Sequence, residues 1–379
     1  MGRTVQWTKR VAWVLALIGA AIGLELHFWQ QDFDVYEQTP QWALGAVHVW
    51  DTTNCARLVL IQPWMETRDY STQETFASKL AGYFEAAHRQ GALTAGSVVV
   101  LPEHLGTWLV AIDEWPVVYA TRKLHTAMTW IIATNLLELL SAFRQMPPAP
   151  QPIRAALFHM KAQQMHKAYV QTFTDLACQY GVYILAGSIV LPDSSLQGQL
   201  INAAMYFTPA GQYGWSGKKA FPTADEQTFC TAAPIGAVQP ILWPDAAATL
   251  AHLICADAWY PQVYQNLQAQ TPDWIVVSAF IAGDSLWAQP WSGYDGFAAP
   301  SDVDLTDIGV LTERQAWEKY ALEGRLHQSG ASCGAMVVLR GRLWDLGADG
   351  RSFIMKNGQY LTSTTCDSAC ILATCLSCR

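Results

Sequence analysis

Residues 251–262 read AHLICADAWYPQ, and the fold turns on why a cysteine ends the apolar run that opens this stretch. Ala251, Leu253 and Ile254 read as the end of a strand, while the residues past Pro261, QVYQNLQAQ, can wind into a helix once the chain has turned. Cys255 then stands at a strand-to-helix corner. A cysteine buried for packing alone behaves as a small hydrophobe and needs no such place. A nucleophile gains from it, because the corner lifts the sulfur out of the sheet and leaves the next backbone N–H groups free to face developing negative charge.

Outward from this corner the chain alternates strand and helix signals. ARLVLIQPW and SVVVLPE are short apolar runs on either side of STQETFASKLAGYFEAAHRQG, a helix opened by a capping box of Ser71 with Glu74 and closed by Gly91. A helical pattern returns in KAQQMHKAYVQTFTDLACQYG, followed by the strands VYILAGSIVLP and AAMYFTPAG. Beyond the corner come WIVVSAF, a helix beginning LTERQAWEKY under a Thr312 to Gln315 box, and GAMVVLRGRLWDL as two strands joined at Arg340 and Gly341. TAMTWIIATNLLELLSAF, within residues 115–160, reads as one apolar helix, either buried or lying along a membrane or partner surface, and MPPAPQP as a loop. The alternation implies a mixed sheet covered by helices, one domain over residues 43–355 without a convincing linker.

At 379 residues the chain can bury a substantial core. Its net charge of −8, with 23 Lys plus Arg against 31 Asp plus Glu, lacks the basic surplus of a protein that neutralises nucleic-acid backbone. Arg3, Lys9 and Arg10 precede the uncharged run VAWVLALIGAAIGL, and residues 11–29 just reach the length of a membrane span. A signal peptide has the same layout, so residues 1–42 read as a cleaved signal or a single anchor with its connector. Either sends the remainder out of the cytoplasm, to the periplasm, the exterior or the outer face of a membrane. Four of nine cysteines, Cys366, Cys370, Cys375 and Cys378, crowd residues 356–379, a Cys-rich tail outside the domain. Without paired CxxC knuckles they read as disulfides in an oxidising compartment, and an odd total leaves a free thiol.

Three stretches deliver a reactive residue from a strand or its exit: SVVVLPEH with Glu103, GWSGKKAFPTADE with Lys219, and HLICADAWYP with Cys255. A cysteine attacking a carbonyl or nitrile carbon needs a base for its proton, a cation or N–H groups for the negative oxygen or nitrogen, and an acid for the departing amine. Glu103 has the chemistry of the base and acid, Lys219 that of the cation, and the Ala256 N–H can assist. Together and in this order they resemble the nitrilase superfamily of carbon–nitrogen hydrolases, with its Glu, Lys, Cys triad. LPE matches the family's Pro-Glu pair, and Lys219, Pro222, Thr223 and Glu226 follow the spacing of its nitrilase branch. CADAWYPQ keeps Cys255, Asp257, the aromatic Tyr260 and Pro261, but has Ala256, Trp259 and Gln262 where the amidase branch has an aromatic, an Arg and a Glu.

The resemblance implies an α/β fold of the four-layer α-β-β-α sandwich type, preceded here by one N-terminal apolar helix. It implies a homodimer, and chemistry on a small amide or nitrile without cofactor or metal. Asp257 leans toward amide hydrolysis and the Lys219 segment toward nitriles; acyl transfer to an amine and a non-catalytic binding role are the other readings. Of the two adjacent lysines the spacing selects Lys219 over Lys218. Asp257 is expected to fix its turn through backbone hydrogen bonds, and Glu226 to orient Lys219 as a second buried carboxylate. His104, Trp259, Trp287, Trp291 and Tyr294 are candidates for the substrate pocket; His104, next to Glu103, could instead tune the protonation of that base, although a neighbour along an extended strand is expected to point to the opposite side.

Overall fold

The structure, a computed structural model, describes residues 44–50, 55–243, 248–362 and 366–378. The signal or anchor expected over residues 1–42, its apolar helix and any membrane association through residues 11–29 lie outside the described residues.

Two sheets carry the fold. The larger holds, in spatial order, Leu44–Val49 (β1), Ala369–Cys375 (β15), Arg57–Gln62 (β2), Val98–Val100 (β4), Tyr183–Asp193 (β5), Gln199–Phe207 (β6) and Tyr213–Lys218 (β7). The smaller holds Gln359–Thr362 (β14), Phe353–Lys356 (β13), Cys333–Val338 (β11), Trp274–Ala279 (β10), Ala248–Ile254 (β9) and Ile241–Trp243 (β8). Strands covered on both faces read as continuous apolar runs, and β2 and β10 are buried along their whole length.

Alternation along each strand builds the layers. Leu58, Leu60, Val98 and Val100 face Leu250, Trp274, Val276 and Val337 between the sheets. Their neighbours Val59, Ile61 and Val99 turn outward to Phe76 and Leu80 of the helix Gln73–Arg89 and to Tyr169 and Phe173 of the helix Pro152–Tyr180. On the far side Leu253, Ile275 and Val277 pack with Val263 and Tyr264 of the helix Pro261–Gln268 and with Ala316 and Trp317 of the helix Glu313–Tyr320. The result is an α/β sandwich of two mixed sheets between outer helices.

Several expectations are corrected by this architecture. The Cys-rich stretch expected as a tail outside the domain supplies β15, which lies between β1 and β2, parallel to the first and antiparallel to the second. Along it Cys370 and Leu372 face the other sheet, and Ile371 and Ala373 face the helices. Arg340 and Gly341 make no hairpin; Arg340–Arg342 (β12) pairs in parallel with Trp64–Glu66 (β3). Gly341, at φ +150°, allows this approach, since a Cβ there would stand 1.9 Å from the Met65 carbonyl oxygen. The cap of the helix Gln73–Arg89 is Thr72, which accepts from the Thr75 N–H, one residue beyond the expected box.

The apolar stretch within residues 115–160 forms two helices, Leu124–Thr134 and Leu136–Gln145, bent by 93°. Asn135 stands at the bend, where its amide donates to Glu114 and to the Ile131 carbonyl. The second helix buries only Leu139 and leaves Leu136, Leu137, Leu140 and Phe143 exposed. Among the described residues no single helix is long and apolar enough to cross a membrane.

Six cysteines pair as Cys55–Cys375, Cys333–Cys378 and Cys366–Cys370, leaving three free thiols, Cys178, Cys230 and Cys255. Three disulfides are the mark of an oxidising environment.

Candidate active site

Glu103 leaves the edge of β4 through Leu101 and Pro102. The strand beside it, β5, breaks register between Leu185 and Ser188, and Gly187 sits there at φ +73°. A Cβ on Gly187 would lie 2.1 Å from the Pro102 carbonyl oxygen, so only glycine lets the Glu103 segment turn inward. Lys219 follows the last residue of β7. Its neighbour Lys218 turns the other way and pairs with Asp193, as alternation along a strand requires.

The Lys219 ammonium lies 2.7 Å from Glu103 Oε1 and 2.6 Å from Glu226 Oε2, and all three side chains are buried. A residue not anticipated from the sequence completes this network: Asn202 of β6 donates from Nδ2 to Glu103 Oε1 at 3.0 Å and to Glu226 Oε1 at 2.7 Å. An amide in the middle of the apolar strand QLINAAMYF was the available signal. Burial opposes the charge on Lys219, but Glu103 and Glu226 outweigh it and hold the ammonium charged well past the usual lysine range. Burial likewise opposes charge on Glu226, and Lys219 with His104 reverses this, keeping the carboxyl well below its ordinary value.

Cys255 begins a short helical turn immediately after β9 and takes φ +46°, a left-handed conformation costly for a residue with a Cβ. Its Sγ faces the Phe280 carbonyl at 3.9 Å, and the Phe280 N–H donates to Glu103 Oε2 at 3.1 Å. Phe280, just past the adjacent β10, thus touches thiol and carboxylate together. Burial first, then the like charge of Glu103, push the Cys255 thiol well up, so the resting sulfur keeps its proton. Asp257 accepts the N–H groups of Ala220 at 2.9 Å, Phe221 at 2.8 Å and Ile254 at 3.4 Å.

His104 does not point away. At φ +58°, with its N–H donated to Ser188 Oγ, it departs from extended geometry and brings Nε2 to 3.5 Å from Glu226 Oε1 and 3.8 Å from Glu103 Oε1. Among the described residues, Glu103, His104 and Glu226 are the group whose donor atoms, within 4.8 Å of one another, approach the spacing of a metal site. Lys219 already places an ammonium on both carboxylates, which makes this an ion-pair network and not a metal centre.

These groups open into one cavity of about 450 Å³. Ala256, Trp259, Trp291 and Tyr294 line it, together with Trp108, Met128, Phe158 and Phe229, which the sequence did not single out. Trp259 stacks on Trp291 at 5.7 Å, and Phe158 on Phe229 at 5.3 Å. Trp287 is absent from this wall. It borders a smaller, separate cavity with Arg314 and Tyr360, and its N–H is held by Asp349. A turn at Ser285, φ +59°, and the short helix Leu286–Ala288 carry Trp287 away from the pocket expected for it.

No family model and no curated protein matches the chain. Solved structures do. A cysteine-to-serine variant of the Nesterenkonia AN1 amidase from the nitrilase superfamily superimposes with a TM-score of 0.51 at 14% identity, covering 86% of this chain and 92% of that one. A glutamate-to-glutamine variant of the same amidase, showing the result of Michael addition of acrylamide at its active site cysteine, superimposes with a TM-score of 0.50 at 14% identity over 85% of this chain and 93% of that one. At this identity the likeness is one of fold: a nitrilase-type sandwich.

Proposed function

We propose that the protein is a carbon–nitrogen hydrolase that cleaves a small amide through an acyl-thioester on Cys255, with Glu103 and Lys219 as its partners. The observation that carries this reading is the buried thiol in one cavity with a carboxylate that Lys219 holds at 2.7 Å. Glu103 takes the thiol proton as sulfur attacks the carbonyl carbon, and Lys219 with the Ala256 N–H holds the oxyanion. The C–N bond then breaks as Glu103 passes the proton to the leaving nitrogen. Water follows: Glu103 accepts one of its protons, hydroxide adds to the thioester carbon, and the acid leaves as the proton returns to sulfur.

The aromatic and aliphatic walls favour a substrate with an apolar or aromatic group, in a cavity far larger than a two-carbon amide fills. A nitrile would enter the same chemistry as a thioimidate, a reading that the Pro222 and Glu226 spacing keeps in play. A panel of aliphatic, aromatic and carbamoyl amides with matched nitriles, assayed for ammonia or amine, tests both. Release from amides with apolar acyl groups supports the proposal, and inactivity across the amides while nitriles turn over overturns its amide part. An extracytoplasmic site of action and a homodimeric state belong to the same proposal.

A further inference from the structure

The groups so far given roles leave His104 unused, although it reaches the carboxylates on which the chemistry depends. Facing its imidazole are Glu103 from the exit of β4, Glu226 and Lys219 from the segment after β7, and Cys255 from the end of β9; farther along the cavity wall stand Arg154 with Asp225, Asp295 and Glu313. The closest approaches, 3.5 Å to Glu226 and 3.8 Å to Glu103, are ion-pair distances longer than a direct hydrogen bond. With neutral imidazole, two carboxylates oppose one ammonium and the buried cluster is singly negative; with imidazolium it is neutral. The other ring nitrogen, Nδ1, lies 3.0 Å from Thr107 Oγ1. A hydroxyl both donates and accepts, so Thr107 satisfies Nδ1 in either state of charge. The ring is held from behind by Phe280, edge-on at 6.1 Å, and keeps its side chain 14% exposed.

We propose that His104 is a positioning residue whose charge state sets how readily Glu103 serves as the base. Imidazolium beside the two carboxylates stabilises Glu103 as an anion and so opposes uptake of the thiol proton; neutral imidazole removes that opposition. Histidine is the side chain whose charge ordinarily changes between about pH 5 and 8. Protonation of the imidazole therefore slows transfer of the thiol proton to Glu103. The inference rests on the thioester reading for its kinetic consequence, but the charge coupling itself does not require a substrate.

Three measurements test it. For amide hydrolysis, wild-type kcat/KM steps down by about tenfold from a plateau with neutral imidazole to a lower plateau with imidazolium, whereas H104Q, which keeps an N–H donor but no titratable charge, holds its rate within about twofold over the same range. Profiles that run parallel at a constant ratio mean a structural role only and overturn the proposal. Alkylation of Cys255 by chloroacetamide, followed by mass spectrometry, reports the same proton transfer without turnover; the step down toward acid must be present in the wild type and lost in H104Q, with H104N as the second variant if H104Q does not fold. NMR of the wild-type imidazole needs no variant of the site: a His104 signal with no titration between about pH 5 and 9, or with a midpoint unrelated to the alkylation step, overturns the proposal. Absence of amide turnover alone would sink the amide reading and leave the alkylation and NMR results to decide on His104.

Discussion

The carboxylate of Asp257, two residues after Cys255, accepts the backbone N–H of Ala220, one residue after Lys219, at 2.9 Å. The loops bearing the thiol and the ammonium are thereby one rigid unit, although 36 residues separate the side chains. Burial pushes the Asp257 carboxyl up to about 7, against the pull of Lys219 and three N–H donors. A carboxyl whose folded value exceeds its unfolded one binds the proton more tightly when folded, so its contribution to stability is full below about pH 4 and is lost as pH rises through about 7. Urea unfolding of wild type and Asp257→Asn will show a wild-type advantage that declines over this window. An advantage that grows with pH would contradict it.

Removing Lys219 leaves Glu103 and Glu226 buried beside each other. Lys219→Met is expected to cost about 3–5 kcal/mol at neutral pH, the penalty of breaking a buried ion pair from one side. The sign of its pH dependence follows from Glu226, whose folded value is depressed: the stabilisation is present above the ordinary carboxylate range and lost as pH falls through the folded value. The deficit of the variant must shrink toward acid. A cost that does not change as pH falls from about 5 to about 2 would remove the ion-pair account.

The disulfide Cys55–Cys375 spans a sequence separation of 320 and ties the start of the β2 segment to the end of β15. In the chain-entropy account a bridge of this span stabilises by about 5 kcal/mol. The double variant C55A/C375A should lower the urea midpoint clearly while leaving the cavity chemistry intact in folded protein. An unchanged midpoint would show that the bridge constrains little.

Replacing Glu103 by Gln keeps the shape and removes the base. Acylation and thioester hydrolysis should each slow by about 10²–10⁴-fold from about pH 5 to 9 in single-turnover kinetics with mass detection of the adduct. Wild-type rates in both steps at any pH in that range would take Glu103 out of the mechanism.

How much of this was legible before the structure differs from residue to residue. The Cys255 corner was readable because an apolar run stops at Ile254 and Pro261 starts a helix six residues beyond Cys255, both local signals. Lys219 over Lys218 was readable from the spacing to Pro222 and Glu226, and alternation then sends Lys218 to the opposite face, where it pairs with Asp193. His104 was misdirected because its left-handed backbone depends on Ser188, a partner 84 residues away that no local pattern reveals. β15 was hidden because cysteines at both ends of ILAT looked like a cross-linked tail, whereas its burial comes from β1 and β2 on either side. Asn202 gave one signal, an amide in an apolar strand, but its two carboxylate partners arrive from Glu103 and Glu226 in separate segments.

The central claim is that Cys255 carries the acyl group. The most direct measurement is intact-protein and peptide mass spectrometry within one turnover of an amide bearing an apolar acyl group. The account predicts an adduct of the acyl mass on the peptide containing Cys255 and none on those containing the free thiols Cys178 or Cys230, decaying as the carboxylic acid appears. C255A should form no adduct and release no amine while unfolding at the wild-type midpoint. An adduct confined to another cysteine, or turnover preserved in C255A, would contradict it.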